Sequence, residues 1–228
     1  MPTPEQVLFG LWSIANEHVA LAIVWHILVV ALFISVTALG RPRARVLGMA
    51  LALPLASVSA LAWSADNPFN GAVLGLVALS LAALALGGPI AALPPRPRAA
   101  PSPEWVAWLG WPILVYGLVY PEFVAVSHPI AWLWSAPVGL LPCPTLATVI
   151  GLTLVLSPTA RLGRSYALVL AGAGLFYGVF GVARLGVVLD LGLVLGALAL
   201  AASALVRPSG ARPAPRRLPE PPVGARPA

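Results

Sequence analysis

The chain has 228 residues, 60% hydrophobic and only 9% charged, far below the roughly 25% charge of an average soluble chain. That composition excludes a soluble domain of this size and makes the +6 net charge a statement about membrane topology rather than about nucleic acid. A single cysteine excludes an intramolecular disulfide, and all 13 basic residues are arginine.

Residues 1 to 18 carry Pro2, Pro4 and Glu5, then an apolar patch with Trp12, then Asn16-Glu17-His18. This order predicts a short interfacial helix leading into the first span. No basic region with a small-residue cleavage site precedes the first apolar run, so no removable signal peptide is expected. Val19 to Leu39 is the first expected span, about 31 Å long as a helix, and Arg41, Arg43 and Arg45 follow it. Val46 to Trp63 is the second, with Pro54 inside it, and Asp66-Asn67-Pro68-Phe69-Asn70-Gly71 reads as a turn cluster. The third runs from Ala72 to Leu93, its far end weakened by Gly87-Gly88-Pro89 before a Pro/Arg linker, Pro94 to Pro103. Trp105 to about Val126 is the fourth, with Trp105, Trp108 and Trp111 at helical spacing, a stripe that suits packing and interface anchoring.

The most unusual local chemistry is Leu140-Leu141-Pro142-Cys143-Pro144-Thr145. Pro144 disfavours helical angles at Cys143, and its missing N–H is harmless at a first helical position, so Cys143 is expected to cap the fifth helix. The apolar run from Thr145 to Leu156 covers roughly 18 Å of a roughly 30 Å hydrocarbon slab. Ile130 to Leu141 is therefore expected to complete the crossing as an interfacial or re-entrant segment. Tyr166 to Ala183 and Gly186 to Val206 are the sixth and seventh spans, joined by a connection carrying Arg184 and Asp190. The Pro/Arg/Ala-rich stretch from 207 to 228 has no apolar periodicity and is expected to be disordered.

The arginines orient the bundle. If seven spans alternate, twelve of the thirteen fall on one side and only Arg184 on the other, a positive-inside pattern. The expected fold is thus an all-α integral membrane protein of the bacterial inner membrane. It is a seven-transmembrane-helix bundle (residues 1–206) with the N-terminus outside, and residues 207–228 form a cytoplasmic tail that meets anionic lipid headgroups. Small-residue pairs four apart, Gly71/Gly75, Gly174/Gly178 and Gly192/Gly196, point to close helix packing.

Polar groups then collect on the outer half: Glu17, His18, Asp66, Asn67, Glu122, His128, Cys143, Thr145, Arg184 and Asp190. Ionisable groups at a membrane span are costly unless paired or wet, so these are the candidate lining of an outward-facing vestibule. They include metal-binding and acid/base types, but no Cys-x-x-Cys, His-x-x-x-His or His-Glu-x-x-His is present. No cofactor is implied, and metal binding stays open. Cys143 reads either as a thiolate stabilised by the helix N-terminus or as a small buried cap. His26 reads as a satisfied interior histidine or as the lining of a wet cavity.

Asp66-Asn67-Pro68, Tyr120-Pro121, Pro142-Cys143-Pro144-Thr145 and Asp190-Leu191-Gly192-Leu193 together resemble an uncharacterised family, a domain of unknown function, of bacterial multi-pass inner-membrane proteins. The resemblance spans roughly residues 5 to 206, with Pro-Cys-Pro-Thr its most specific part. It implies a fold and a location, not an activity. Three functions remain open from the sequence. The vestibule suggests binding or passage of a small solute or ion. The alternatives are a membrane enzyme using Cys143, with Glu122, His128 or His18 as base, and a non-catalytic assembly or scaffold protein.

Overall fold

The computed structural model describes residues 3–38, 44–87, 104–125, 128, 131, 134, 136–156 and 162–205. The expected linker from Pro94 to Pro103, the tail from 207 to 228, and Arg41, Arg43 and Arg161 lie outside the described residues, as does much of the 130–135 stretch.

Among the described residues the structure is helical, with no strand. Eight α-helices follow in order: α1 (Pro4–Glu17), α2 (Val19–Ala38), α3 (Ala44–Ser64), α4 (Pro68–Leu86), α5 (Glu104–Leu118), α6 (Pro142–Leu156), α7 (Arg164–Phe180) and α8 (Leu191–Leu205). Five segments are long and apolar enough to cross a membrane: α2, α3, α4, α7 with its extension to Leu185, and α8 with the turn from Val188. This is an integral membrane protein. The helices α5 and α6 are apolar but, at 15 residues each, measure only about 22 Å.

Local chemistry explains the boundaries. Thr3 and Gln6 form a reciprocal capping box at the start of α1, with Pro4 at a position whose N–H has no helical partner. Glu5 follows in the first turn, where its own backbone N–H and the Thr3 hydroxyl hold its carboxyl below the usual range. Asn67 accepts from the Asn70 N–H and starts α4. Gly87, at φ 86°, ends it, six residues before the limit at Leu93 expected for the third span. The fourth span also ends early, at Leu118 rather than near Val126, because Pro121 disfavours helix at Tyr120 and Phe123 turns the chain with φ 68°.

The short helix expected as the fifth span is α6 and begins at Pro142, so Cys143 sits inside its first turn rather than capping it. Two prolines fit there because the first N–H groups of a helix have no intrahelical acceptor, so neither ring removes a ladder bond. Ahead of it, Pro137–Leu141 is a non-helical turn. Its Leu141 carbonyl accepts from the Thr145 hydroxyl at 2.6 Å, and Thr145 Oγ1 in turn accepts from the Gly139 N–H at 2.7 Å. Residues 136 to 142 are buried, the condition under which irregular backbone is tolerated at membrane depth.

The bundle is built from three hairpin-like pairs, α3 with α4, α5 with α6, and α7 with α8. The short helix α6 is the centre: thirteen of its 15 residues are buried, and it touches α3, α5, α7 and α8. Glycine permits this. A Cβ on Gly117 would lie 2.5 Å from the Thr148 nitrogen, on Gly110 2.6 Å from the Val155 nitrogen, and on Gly151 2.4 Å from the Leu114 nitrogen. The α5 and α6 backbones are therefore in contact, with packing rather than water exclusion holding them. The pairs anticipated from sequence also serve packing, Gly174 and Gly178 against α8 residues and Gly192 and Gly196 against Tyr116 and Ile113 of α5. Consecutive helices alternate in direction. The starts of α2, α4, α6 and α8 and the ends of α3, α5 and α7 gather at one end, with α1 lying across it.

Candidate functional site

That end holds a polar cluster built from three separate stretches. Asp190 closes a 3-10 turn (Val188–Asp190) one residue before α8 and is 1% exposed. Its Oδ1 accepts from the Tyr120 hydroxyl at 2.8 Å and its Oδ2 from the Cys143 thiol at 3.2 Å. Tyr120 is fully buried just beyond α5, while Cys143 in the first turn of α6 keeps part of its surface accessible.

The backbone around Asp190 is arranged to admit the carboxylate. Downstream of Phe180, α7 widens into a π-helical turn, Gly181–Leu185, closed by Gly186 at φ 71°. Such widenings are frequent at functional sites. The Gly181 carbonyl accepts from the Gly186 and Val187 N–H groups, which folds the connection back over the bundle. A Cβ at Gly181 would fall on Asp190 Oδ2, so glycine there is what lets the carboxylate lie against the turn.

Aromatic residues surround the cluster. The Tyr116 and Tyr120 rings meet edge to face at 5.4 Å, and Tyr116 donates to the Leu189 carbonyl at 2.5 Å. Phe123 stacks beside Tyr120, and Leu8 of α1 packs on the same group. Tyr177 of α7 donates to Asn70 Oδ1 at 3.1 Å, tying α4 to α7. Five residues further along α6 from Cys143, the Thr148 hydroxyl is buried with no hydrogen-bond partner among the described residues.

The residues anticipated from sequence divide clearly. Cys143 and Asp190 are brought into contact, and Glu122 lies within electrostatic range of Asp190. Thr145 is buried but spent on the turn before α6. Arg184, which shares a connection with Asp190, is exposed in the π-helical turn and is not its hydrogen-bond partner. Asp66 is exposed in the α3–α4 turn at φ 53°, and Asn67 caps α4. Glu17 and His18 border a separate groove against α3, and His128 is exposed. The nearest polar partner of the thiol is thus a carboxylate, where the sequence reading looked to the helix N-terminus, His18, His128 or Glu122.

His26 is buried with a backbone carbonyl beside each ring nitrogen. Its Nδ1 lies 2.9 Å from the Ala22 carbonyl and its Nε2 3.0 Å from the Leu118 carbonyl, one of the unpaired acceptors at the end of α5. It ties α2 to α5. Asn16 makes a comparable tie, donating to the Phe123 carbonyl and accepting from the Ala125 N–H, both at 2.8 Å. This holds α1 over the loop that follows Tyr120.

Tyr120 is the site residue that sequence reasoning missed. Its Tyr-Pro dipeptide was visible, but an aromatic residue in an apolar run carries no sign that its hydroxyl meets an acid 70 positions away. Among the described residues no three His, Cys, Asp or Glu side chains converge. Comparison with family models, curated proteins and solved structures gives no match, so the site is read from its own chemistry.

Proposed function

We propose that this is a bacterial inner-membrane protein of seven crossings, N-terminus outside and C-terminus cytoplasmic. In this reading it binds or passes a small cationic solute or ion at a recess on its outer end, with Asp190 as the anionic centre. The observation that carries the reading is a carboxylate 1% exposed whose oxygens meet two neutral donors and, among the described residues, no basic side chain. A buried acid in a membrane bundle is expensive unless a positive charge reaches it. A cation bound between Asp190, the Tyr120 oxygen and the Cys143 sulfur supplies that charge, and the unpaired Thr148 hydroxyl offers a next polar contact inward. The wider set of outer residues is not needed for this.

The test uses full-length protein in lipid nanodiscs, unfolded by heat in sodium, potassium, ammonium or methylammonium chloride at constant ionic strength. At about 100 times the dissociation constant the bound cation is expected to add about 2.7 kcal/mol of stability. Asp190→Asn, which keeps the side-chain shape, is expected to abolish that response. An equal response in Asp190→Asn overturns the reading.

Orientation has its own test, since the seven-crossing arrangement requires α5 and α6 to cross despite their length. Reporter fusions at Arg98 and Arg164 are expected to read cytoplasmic, and those at Asn67 and His128 external. A cytoplasmic signal at His128 rules the arrangement out.

A thiol enzyme is the second reading, favoured by one observation: an acceptor oxygen of Asp190 lies 3.2 Å from the sulfur, within reach for a general base. It requires Cys143 to react with a carbonyl-type electrophile. Cation-dependent stabilisation that survives in Cys143→Ser supports binding over catalysis.

A further inference from the structure

A second feature at the same end shares no residue with the Asp190 cluster. A groove of about 320 Å³ runs between α1 and the last turn of α3, with Phe9, Ile14 and Leu61 as apolar walls and Ser13, Glu17 and His18 at its polar side.

The hydrogen bonds there define what the groove asks of a ligand. His18 Nδ1 faces the Ile14 carbonyl at 3.2 Å. A carbonyl only accepts, so Nδ1 carries the hydrogen in that contact, and a neutral ring then presents Nε2 as a bare acceptor. Glu17 Oε1 accepts from the Ser13 hydroxyl at 2.5 Å, which leaves most of the carboxylate's acceptor capacity unused. Among the described residues no basic side chain pairs with it. Two acceptors on adjacent residues lining one groove, one of them anionic, suit a positively charged group bearing several N–H donors.

The position limits the source of that group. His18 immediately precedes α2, one of the membrane-crossing helices, so the polar side of the groove stands at the headgroup level of a span. Phe9, which lines the groove, is exposed and stacks on exposed Trp12. On a membrane protein such a pair anchors a surface helix in the interface. The groove thus joins lipid-facing aromatic surface to a pair of acceptors.

We propose that it holds the headgroup of an ethanolamine-type phospholipid. The primary ammonium is shared between the Glu17 carboxylate and His18 Nε2, and the hydrocarbon lies along Phe9 and Leu61. A choline headgroup, whose nitrogen carries three methyl groups and no N–H, cannot make either bond.

Full-length protein, exchanged into equal mixtures of ethanolamine and choline phospholipids with identical acyl chains, is repurified and its retained lipid counted by mass spectrometry. Ethanolamine lipid is expected at about tenfold excess, the ratio one charge-assisted hydrogen bond supplies. Glu17→Gln and His18→Leu are each expected to cut that excess severalfold while leaving the thermal midpoint near that of the parent, since both residues are solvent-accessible. Equal retention of the two lipids by the parent, or an undiminished preference in both variants, overturns the assignment. Free ethanolamine added to delipidated protein is expected to leave the midpoint unchanged. A rise matching that given by the lipid overturns the lipid as occupant.

Discussion

Replacing Gly151 by valine is expected to be among the most damaging single substitutions in the chain. A Cβ there would lie 2.4 Å from the nitrogen and 2.5 Å from the Cα of Leu114. These are backbone atoms inside a helix and have no rotamer to yield, so α5 and α6 must move apart. Separation also breaks the contacts at Gly110 and Gly117, on the same face of α5 two turns apart. Because α6 touches four other helices, the displacement spreads through the bundle. The expected loss is about 3 kcal/mol, read as a lower unfolding midpoint and reduced recovery of monodisperse protein. Gly172→Ala is the control: nothing lies within 4 Å of a Cβ at Gly172, and helix propensity favours alanine there. If Gly151→Val unfolds at the same temperature as Gly172→Ala, the backbone contact between α5 and α6 is not formed.

Gly181→Ala is expected to act on the site itself. The added methyl falls on Asp190 Oδ2, so the carboxylate must rotate away from Cys143 and shift its bond with Tyr120. Loss of two hydrogen bonds to a carboxylate amounts to about 3 kcal/mol, and the response to cations described above is expected to disappear with it. A double-mutant cycle separates this from general crowding. In an Asp190→Ala background the nearest remaining contact is the residue 190 Cβ at 3.2 Å, so most of the cost of Gly181→Ala should vanish there. An unchanged cost would mean that the two positions are independent and that glycine at 181 serves only the π-helical turn.

Much of the fold is legible in the sequence because a membrane leaves few alternatives. The five long apolar helices among the described residues all correspond to expected spans, α2 starts where the apolar run starts, and the boundary of α1 at His18 follows from the polar triplet at 16–18. The errors fall where backbone geometry competes with hydropathy. Apolar sequence continues past Leu118, but the proline at 121 and the left-handed Phe123 end the helix. Apolar sequence likewise says nothing about depth: α6 looks like the weakest span and is the most buried helix. Its status comes from Gly151 meeting the glycine-bearing face of α5, not from its hydropathy.

The candidate site divides in the same way. Composition alone determined that the chain is a helical membrane protein, because 9% charge leaves backbone polar groups to be satisfied within helices. The Pro-Cys-Pro-Thr element and Asp190 were recognisable as unusual because a cysteine between prolines and an acid at a span are rare in such a composition. Only the tertiary structure decided that these two touch, that Tyr120 is their third member, that Thr145, Asn67 and His26 serve the fold, and that Glu17 and His18 belong to another groove. Hydropathy and spacing report on each helix against lipid, a one-body property. Which hydroxyl meets which carboxylate depends on the relative depth and rotation of three helices, and those are set by side-chain and glycine contacts between residues that sequence order keeps 23 to 70 positions apart.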